Sequence, residues 1–393
     1  MIQPFAFARI PGIVFGSGKF DELPQIISRF GSSVLVVTGG TSYRIGDRWH
    51  RLVTSLEENS ISRSHVSVRG EPSPELVDRT VDEHRNANID VVLAWGGGSV
   101  IDAGKAVSAM LTQKGSVVEY LEGVGTGVVH SGEKIPCVAV PTTSGTGSEA
   151  TKNAVLSRVG PDGFKKSLRH ANFVPDAVVL DPLLMLSCPP DVTAACGMDA
   201  FTQLLESYVS TNASPMTDAL ALSGLESVGR CLVPASTDGA NNPGIRGGMA
   251  YGALLSGITL ANAGLGVVHG LASPIGGHFA IPHGVVCGTL VGAATAATIR
   301  KLREQCDSTH PALPKYARVG AMLSGTENAG VSAGCELLVD RIEKWVATLN
   351  IPRLGEYGIR ETDFDSIIEG AGNKNNPIPL SPDEIRHLLR ERL

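Results

Sequence analysis

Asp90-Val91-Val92-Leu93-Ala94-Trp95-Gly96-Gly97-Gly98-Ser99-Val100-Ile101-Asp102-Ala103-Gly104-Lys105 reads as a buried strand, a glycine turn and the first turns of a helix. Glycines in the turn let the backbone come close to a ligand, and the unshared amides at a helix N-terminus attract an anion such as a phosphate. A plain tight turn has the same local signature, so the stretch alone leaves both readings open. Its neighbours repeat the pattern. Ser33–Thr38 (SVLVVT), Ser64–Val68, Cys137–Val140 (CVAV) and Ala177–Leu180 (AVVL) are short apolar or β-branched runs of the kind found in strands buried on both faces. Between them lie amphipathic segments such as Pro74–Asn88, with Val77, Val81 and His84 on one face. Strand and helix in alternation predict a doubly wound parallel sheet.

A second glycine-rich loop, Pro141-Thr142-Thr143-Ser144-Gly145-Thr146-Gly147-Ser148-Glu149, also follows a strand and is dense in small hydroxyls. Two such loops at strand C-terminal ends converge on the usual ligand crevice of an open α/β sheet, which makes a dinucleotide the leading ligand. After Asp181-Pro182 the strand-like runs stop. Long alanine- and leucine-rich segments follow, including Thr217–Cys231 and Gly247–Ala261, and the last stretch, from Ser381, carries an N-cap serine, Pro382, acids in its first turn and arginines in its last. The expected fold is α/β plus all-α, with a dinucleotide-binding domain over residues 1–185 and a helical metal and substrate domain over 186–393.

The helical half holds a candidate metal centre. Gly264–Gly284 (GLGVVHGLASPIGGHFAIPHG) sets His269 and His283 among glycines in an apolar segment. Fourteen residues separate them, too far for one face of a short helix, so the second must return from another turn or helix. Upstream, Gly197–Glu206 reads as a helix with Asp199 and Gln203 at i and i+4, on one face. A carboxylate, an amide oxygen and two imidazoles would suit Fe²⁺, Zn²⁺ or Mn²⁺ with a position left open. Against this stands the ordinary fate of a histidine in an apolar run, which is a hydrogen-bonded core residue.

Composition narrows the class. The chain has 393 residues, enough for two domains, with 42% apolar and 18% charged residues and 46 glycines that form no repeat. A net charge of −6 without a Lys/Arg cluster argues against a nucleic-acid partner. The N-terminus lacks the charged and apolar regions of a secretory signal, and no window is expected to reach the ~20 apolar residues of a spanning helix. Seven cysteines without a CxxC pair fit reduced thiols better than a disulfide framework. The expectation is a cytoplasmic protein with no membrane role.

Several of these motifs, in order along nearly the whole chain, resemble the iron-containing (group III) alcohol dehydrogenases, relatives of glycerol dehydrogenases and dehydroquinate synthases. They are Phe15-Gly16-Ser17-Gly18, GGGSVIDAGKA from Gly96, PTTSGTGSEAT from Pro141, Asp181-Pro182, GMDA from Gly197, Pro282-His283-Gly284 and Asn375-Asn376-Pro377. The resemblance implies a dehydroquinate synthase-like fold with its active site between the two domains, in a homodimer or larger homo-oligomer. It implies hydride transfer between NAD or NADP and an alcohol, aldehyde or ketone, with a divalent metal polarising the substrate oxygen. Gly97, Gly98 and Ser99 would hold the pyrophosphate, and Asp102, Thr142, Thr143, Thr146, Thr151 and Lys165 would line the cofactor cleft. Asp199, Gln203, His269 and His283 fall on the metal-ligand positions, with iron the expected metal and zinc or manganese the alternatives.

Three positions depart from the family pattern. Gln203 stands where typical members have histidine, which weakens the site for zinc. Ser273 stands where many members carry a histidine implicated in proton relay, so a proton would pass through water, a ribose hydroxyl or His278. Gly39 stands where NAD-preferring members place an aspartate on the ribose 2′-OH; without that carboxylate, and with Ser42 and Arg44 nearby, NADP stays open beside NAD. Two rivals are a metal-independent reductase of the maleylacetate reductase type and a dinucleotide-binding sensor without catalysis.

Overall fold

The computed structural model describes residues 2–40, 42–306, 310–326 and 329–393. Its strands are β1 (Gly12–Phe15), β2 (Ser33–Gly39), β3 (Ser62–Val68), β4 (Val91–Gly96), β5 (Cys137–Pro141), β6 (Asn153–Arg158), β7 (Phe164–Arg169) and β8 (Ala177–Leu180). Six of them form one parallel sheet in the order β1-β8-β5-β4-β2-β3, while β6 and β7 make a separate antiparallel ribbon. The helices α1 (Leu23–Ile27), α2 (Arg48–Glu58), α3 (Pro74–His84) and α4 (Gly98–Met110) connect the strands. Alternate residues of β2 serve the two faces: Leu35 and Val37 pack with Val77 and Val81 of α3, and Val34 and Val36 with Leu52 and Leu56 of α2. Each such side chain, fully removed from water, contributes roughly 1.5–3 kcal/mol.

The chain runs from β2 out to β3, then crosses back over β2 to β4 and continues the other way. This reversal puts the carboxyl ends of β2 and β4, Gly39 and Gly96, side by side at the switch point where open α/β sheets bind ligands.

The helical half comprises α5 (Pro190–Val209), α6 (Pro215–Ser236), α7 (Pro243–Ala263), α8 (Val267–His278), α9 (His283–Gln305), α10 (Ala312–Ser324), α11 (Val331–Thr348), α12 (Phe364–Gly370) and α13 (Pro382–Glu391). Helix α5 is its axis, buried along nearly all its length and packed against α6, α7 and α9. Close backbone approach sets the packing: a Cβ on Gly284 of α9 would meet the Ala195 carbonyl of α5 at 2.4 Å, and one on Gly270 of α8 the Gly372 carbonyl in the loop after α12 at 1.8 Å. The capped final helix is present, Ser381 Oγ accepting from Glu384 N and Glu384 Oε2 from Ser381 N.

The sequence reading needs four corrections. Strand β3 is an edge strand, exposed or part-buried over Ser62–Ser67 with only Val68 buried, because it pairs with β2 alone. Helix α3 ends at His84, and Asn88 turns the chain with φ 47°. The β6–β7 ribbon and β1 escaped notice: the ribbon's FKKSLR limb is too polar to read as a strand, and β1 is only four residues long. Finally, one helix among the described residues, α9, is long and apolar enough to cross a membrane, but 83% of its apolar window is buried inside the helical half.

Candidate active site and metal centre

The turn after β4 leaves the start of α4 uncapped by any side chain. Gly97 caps α4 with extended backbone and no side-chain hydrogen bond, so the first amides of α4 have no side-chain acceptor. The hydroxyl-rich loop lies directly on this turn: a Cβ on Gly98 would sit 2.6 Å from Thr146 Oγ1, and one on Gly97 would sit 3.3 Å from Thr143 Oγ1. Thr142 N donates to the Gly96 carbonyl at 2.9 Å. Beyond it, Gly147 takes φ 59° and meets Gly257 of α7 backbone to backbone, which locks the loop to the helical half. Lys105, fully buried, donates to Ser148 O at 2.8 Å and Thr151 Oγ1 at 2.9 Å and lies 3.1 Å from Asp102 Oδ1, while Ser148 Oγ donates to Asp102.

A cavity of about 420 Å³ lies between the halves. The sheet side contributes Gly98, Ser99, Asp102, Thr146 and Thr151; the helical side contributes Gln203, Leu260, His269, Ser273 and His283. Lys165, on β7, reaches this wall with its ammonium 3.1 Å from Glu71. Gly97, Thr142 and Thr143 are not part of the cavity wall. Gly39 ends β2 beside β4, also outside the cavity wall, and Arg44 is turned onto Tyr43, its Nε donating to the phenol oxygen at 2.8 Å. The Ser42 side chain lies outside the described part of the structure. His278 is the last residue of α8 and is not part of the cavity wall, so no inward-turned imidazole replaces the one missing at Ser273.

At the helical end of the cavity, α5, α8 and α9 bring Asp199, His269 and His283 together. His269 Nε2 lies 3.3 Å and His283 Nε2 3.7 Å from Asp199 Oδ1. His269 Nδ1 donates to Glu206 Oε2 at 2.7 Å, and Glu206 Oε1 accepts from Val268 N at 2.7 Å. This carboxylate fixes the tautomer that leaves Nε2 free as a donor to a cation. His283 Nδ1 is buried and without a partner. Gln203 lines the same cavity, but its Oε1 accepts the Ser256 hydroxyl at 2.8 Å. Cys287 Sγ also converges with the other three, all four groups offering atoms within 4.8 Å of one another.

Burial works against charge throughout this cluster. It pushes the His283 imidazole down to about 3, helped by Lys165, His269 and Lys374, and it pushes the Cys287 thiol up to about 12. Burial also opposes the charge on Asp199, but His283 and His269 beside it hold its carboxyl below the usual range. A buried anion facing two imidazoles, with an orphaned ring nitrogen, fits a site built for a divalent cation.

Three residues here were missed in the sequence. Glu206 shares the α5 face of Asp199 seven residues on, and Cys287 follows His283 by four, the spacing already used to pair Asp199 with Gln203. Lys374 gives no such signal. It comes from the loop before α13 with φ 46°, lines the cavity and donates to the His269 carbonyl at 2.8 Å.

A parallel sheet with a phosphate-type turn, facing a helical domain that carries a buried carboxylate–imidazole cluster, defines a two-domain, cleft-centred enzyme class. Residues 11–182 match the family model described as iron-containing alcohol dehydrogenase, and residues 193–393 match the C-terminal model of the same family. Long-chain-alcohol dehydrogenase 1 of Geobacillus thermodenitrificans is 33% identical over 379 residues, covering 94% of this chain and 92% of that protein. The solved alcohol dehydrogenase of Oenococcus oeni superposes with a TM-score of 0.87 at 26% identity, over 99% of this chain and 100% of that one. Sulfoacetaldehyde reductase of Bifidobacterium kashiwanohense, solved in complex with NAD⁺, shares the fold with a TM-score of 0.84 at 24% identity, over 99% of each chain. The chain belongs to the iron-containing alcohol dehydrogenase family. It is an alcohol dehydrogenase that interconverts an alcohol and an aldehyde or ketone with a nicotinamide dinucleotide.

Proposed function

We propose that this enzyme carries out its reaction in the cavity between residues 1–185, which hold the dinucleotide, and residues 186–393, which hold the metal and a small alcohol or aldehyde. The observation that carries this reading is the convergence of Asp199, His269 and His283 at the end of the same cavity that opens onto Gly98 and Ser99. When bound, a divalent cation such as Fe²⁺ or Zn²⁺ would supply Lewis-acid polarisation of the substrate oxygen, and the dinucleotide would supply the hydride exchange.

The chain's own residues do the rest. Asp199, His269 and His283 would hold the cation, with Glu206 keeping the His269 proton on Nδ1. The amides of Gly98 and Ser99 orient the pyrophosphate, and Thr146, Thr151 and Lys165 border its path. Leu260 and Leu265 wall the cavity with apolar surface and exclude water. Ser273 cannot act as a base, so the hydroxyl proton leaves through water or a ribose hydroxyl.

Loss of the acidic side chain at Gly39 supports NADP(H) alongside NAD(H). Seven cysteines without a disulfide among the described residues support a cytoplasmic enzyme. The exposed apolar edge at Ile10, Ile13 and Phe15, where β1 leaves one side of the sheet unpaired, supports a homodimer.

The test is purification without chelator, metal analysis, and assay of NADH and NADPH oxidation with a panel of aldehydes before and after EDTA. About one metal per chain, with turnover lost to EDTA and restored by one metal, is expected. Full turnover by metal-free protein would overturn the role given to Asp199, His269 and His283.

A further inference from the structure

Cys287 lies one helical turn after His283 on α9 and so faces the same way. It is fully buried, and its Sγ lies 3.5 Å from His269 Nε2 and 3.7 Å from His283 Nε2. Those separations have a specific meaning. With metal–nitrogen and metal–oxygen bonds near 2.0–2.1 Å and metal–sulfur bonds near 2.3 Å, the edges of a tetrahedron are about 3.3 Å for N···O and about 3.6 Å for N···S. The observed N···O distances are 3.3 and 3.7 Å, and the N···S distances are 3.5 and 3.7 Å. These four separations lie within about 0.4 Å of those edges, and all four ligand atoms lie within 4.8 Å of one another, close enough to be drawn onto one cation. Gln203 Oε1, by contrast, has the Ser256 hydroxyl at 2.8 Å as its partner.

We propose that Cys287 supplies the fourth protein ligand, so that the centre is Asp199, His269, His283 and Cys287, with Gln203 left at the cavity wall. This rests on the reading of the cluster as a divalent-metal site and changes its chemistry in two ways. A thiolate is a soft ligand, which turns the preference from Fe²⁺ and Mn²⁺ toward Zn²⁺. Two anionic and two neutral ligands also cancel the charge of a divalent cation, whereas one carboxylate with three neutral ligands leaves an excess positive charge. The neutral centre holds its metal more firmly and polarises a substrate oxygen less. Binding releases the thiol proton to solvent, and no oxidant or reductant is involved.

The experiment uses Co²⁺ as the probe on the reduced, full-length, metal-depleted protein. We expect about one cobalt per chain and a near-ultraviolet thiolate-to-cobalt charge-transfer band. Cys287→Ser should abolish the band and weaken Co²⁺ and Zn²⁺ binding at least about tenfold, while Gln203→Ala should keep the band and change affinity by less than about threefold. Circular dichroism and a melting curve on Cys287→Ser and Cys287→Ala check that the fold survives, and the unsubstituted protein tests for the band with no variant at all. One cobalt per chain without the band, or a band that survives Cys287→Ser, overturns the thiolate assignment and leaves the metal site standing. No bound cobalt overturns both.

Discussion

Replacing Glu206 with glutamine keeps the size of the side chain and removes its charge, and the hydrogen bonds determine the result. In the native site one oxygen accepts the His269 Nδ1–H and the other accepts the Val268 N–H, each at 2.7 Å. A carboxylate serves two donors, whereas an amide has one accepting end and one donating end. If the new oxygen stays on Val268, the NH₂ group faces Nδ1 and drives its proton to Nε2, the atom turned toward Asp199 and Cys287. If the oxygen stays on His269, the NH₂ group confronts the Val268 N–H and a buried donor is left unpaired, at a cost of ~1–3 kcal/mol. The first arrangement blocks a ligand atom and the second strains the start of α8. Affinity for Zn²⁺ or Co²⁺ should therefore fall by about 10- to 100-fold, or ~1.4–2.8 kcal/mol, as for other partners that orient metal-bound histidines. Competition with a chromogenic chelator measures this directly, and activity should return at saturating metal. An affinity within about twofold of the native value, in a protein with the native melting temperature, would refute the claim that Glu206 sets the His269 tautomer.

Three further outcomes follow from other parts of the molecule. Gly98→Ala forces a methyl group to within 2.6 Å of Thr146 Oγ1 at the mouth of the phosphate turn; the dinucleotide KM should rise at least about tenfold with metal content unchanged, and an unaltered KM would remove the pyrophosphate from this turn. Gly39→Asp restores a carboxylate at the end of β2 and should lower kcat/KM for NADPH relative to NADH at least about tenfold, whereas an unchanged ratio would place the adenosine ribose elsewhere. Burial pushes the Glu149 carboxyl up to about 7. A raised folded-state pKa means stability that is full below the unfolded value and is lost as pH rises through about 7, so native stability should fall by as much as about 3 kcal/mol between pH 4.5 and pH 8 from this group. Glu149→Gln should flatten that part of the profile in denaturant titrations, and an identical pH dependence in both proteins would count against a neutral Glu149.

Much of the architecture is legible in the sequence because it is local. The apolar run of β4, its glycine turn and the start of α4 lie within sixteen consecutive residues, and strand burial and helix initiation are decided by neighbours along the chain. The same holds for the face of α5 that carries Asp199 and Gln203, and for the capping box of α13, where Ser381 and Glu384 are three residues apart. The β6–β7 ribbon was not legible, because its polar limb is held by pairing with β6 and by packing against α8 rather than by its own pattern.

The donor set itself shows where sequence stops. That Asp199, His269 and His283 were candidates follows from residue type and spacing; that they meet depends on Gly284 lying against the Ala195 carbonyl and Gly270 against the Gly372 carbonyl, contacts between segments 89 and 102 residues apart. The same packing turns Gln203 toward Ser256 and brings Cys287 to the two imidazoles. Periodicity fixed which side chains share a face within one helix, since that depends only on 3.6 residues per turn. Which faces of α5, α8 and α9 meet, and therefore which sulfur, oxygen and nitrogen atoms stand within reach of one cation, was decided by close packing of the whole helical core, whose lowest-energy arrangement is a property of all its residues together.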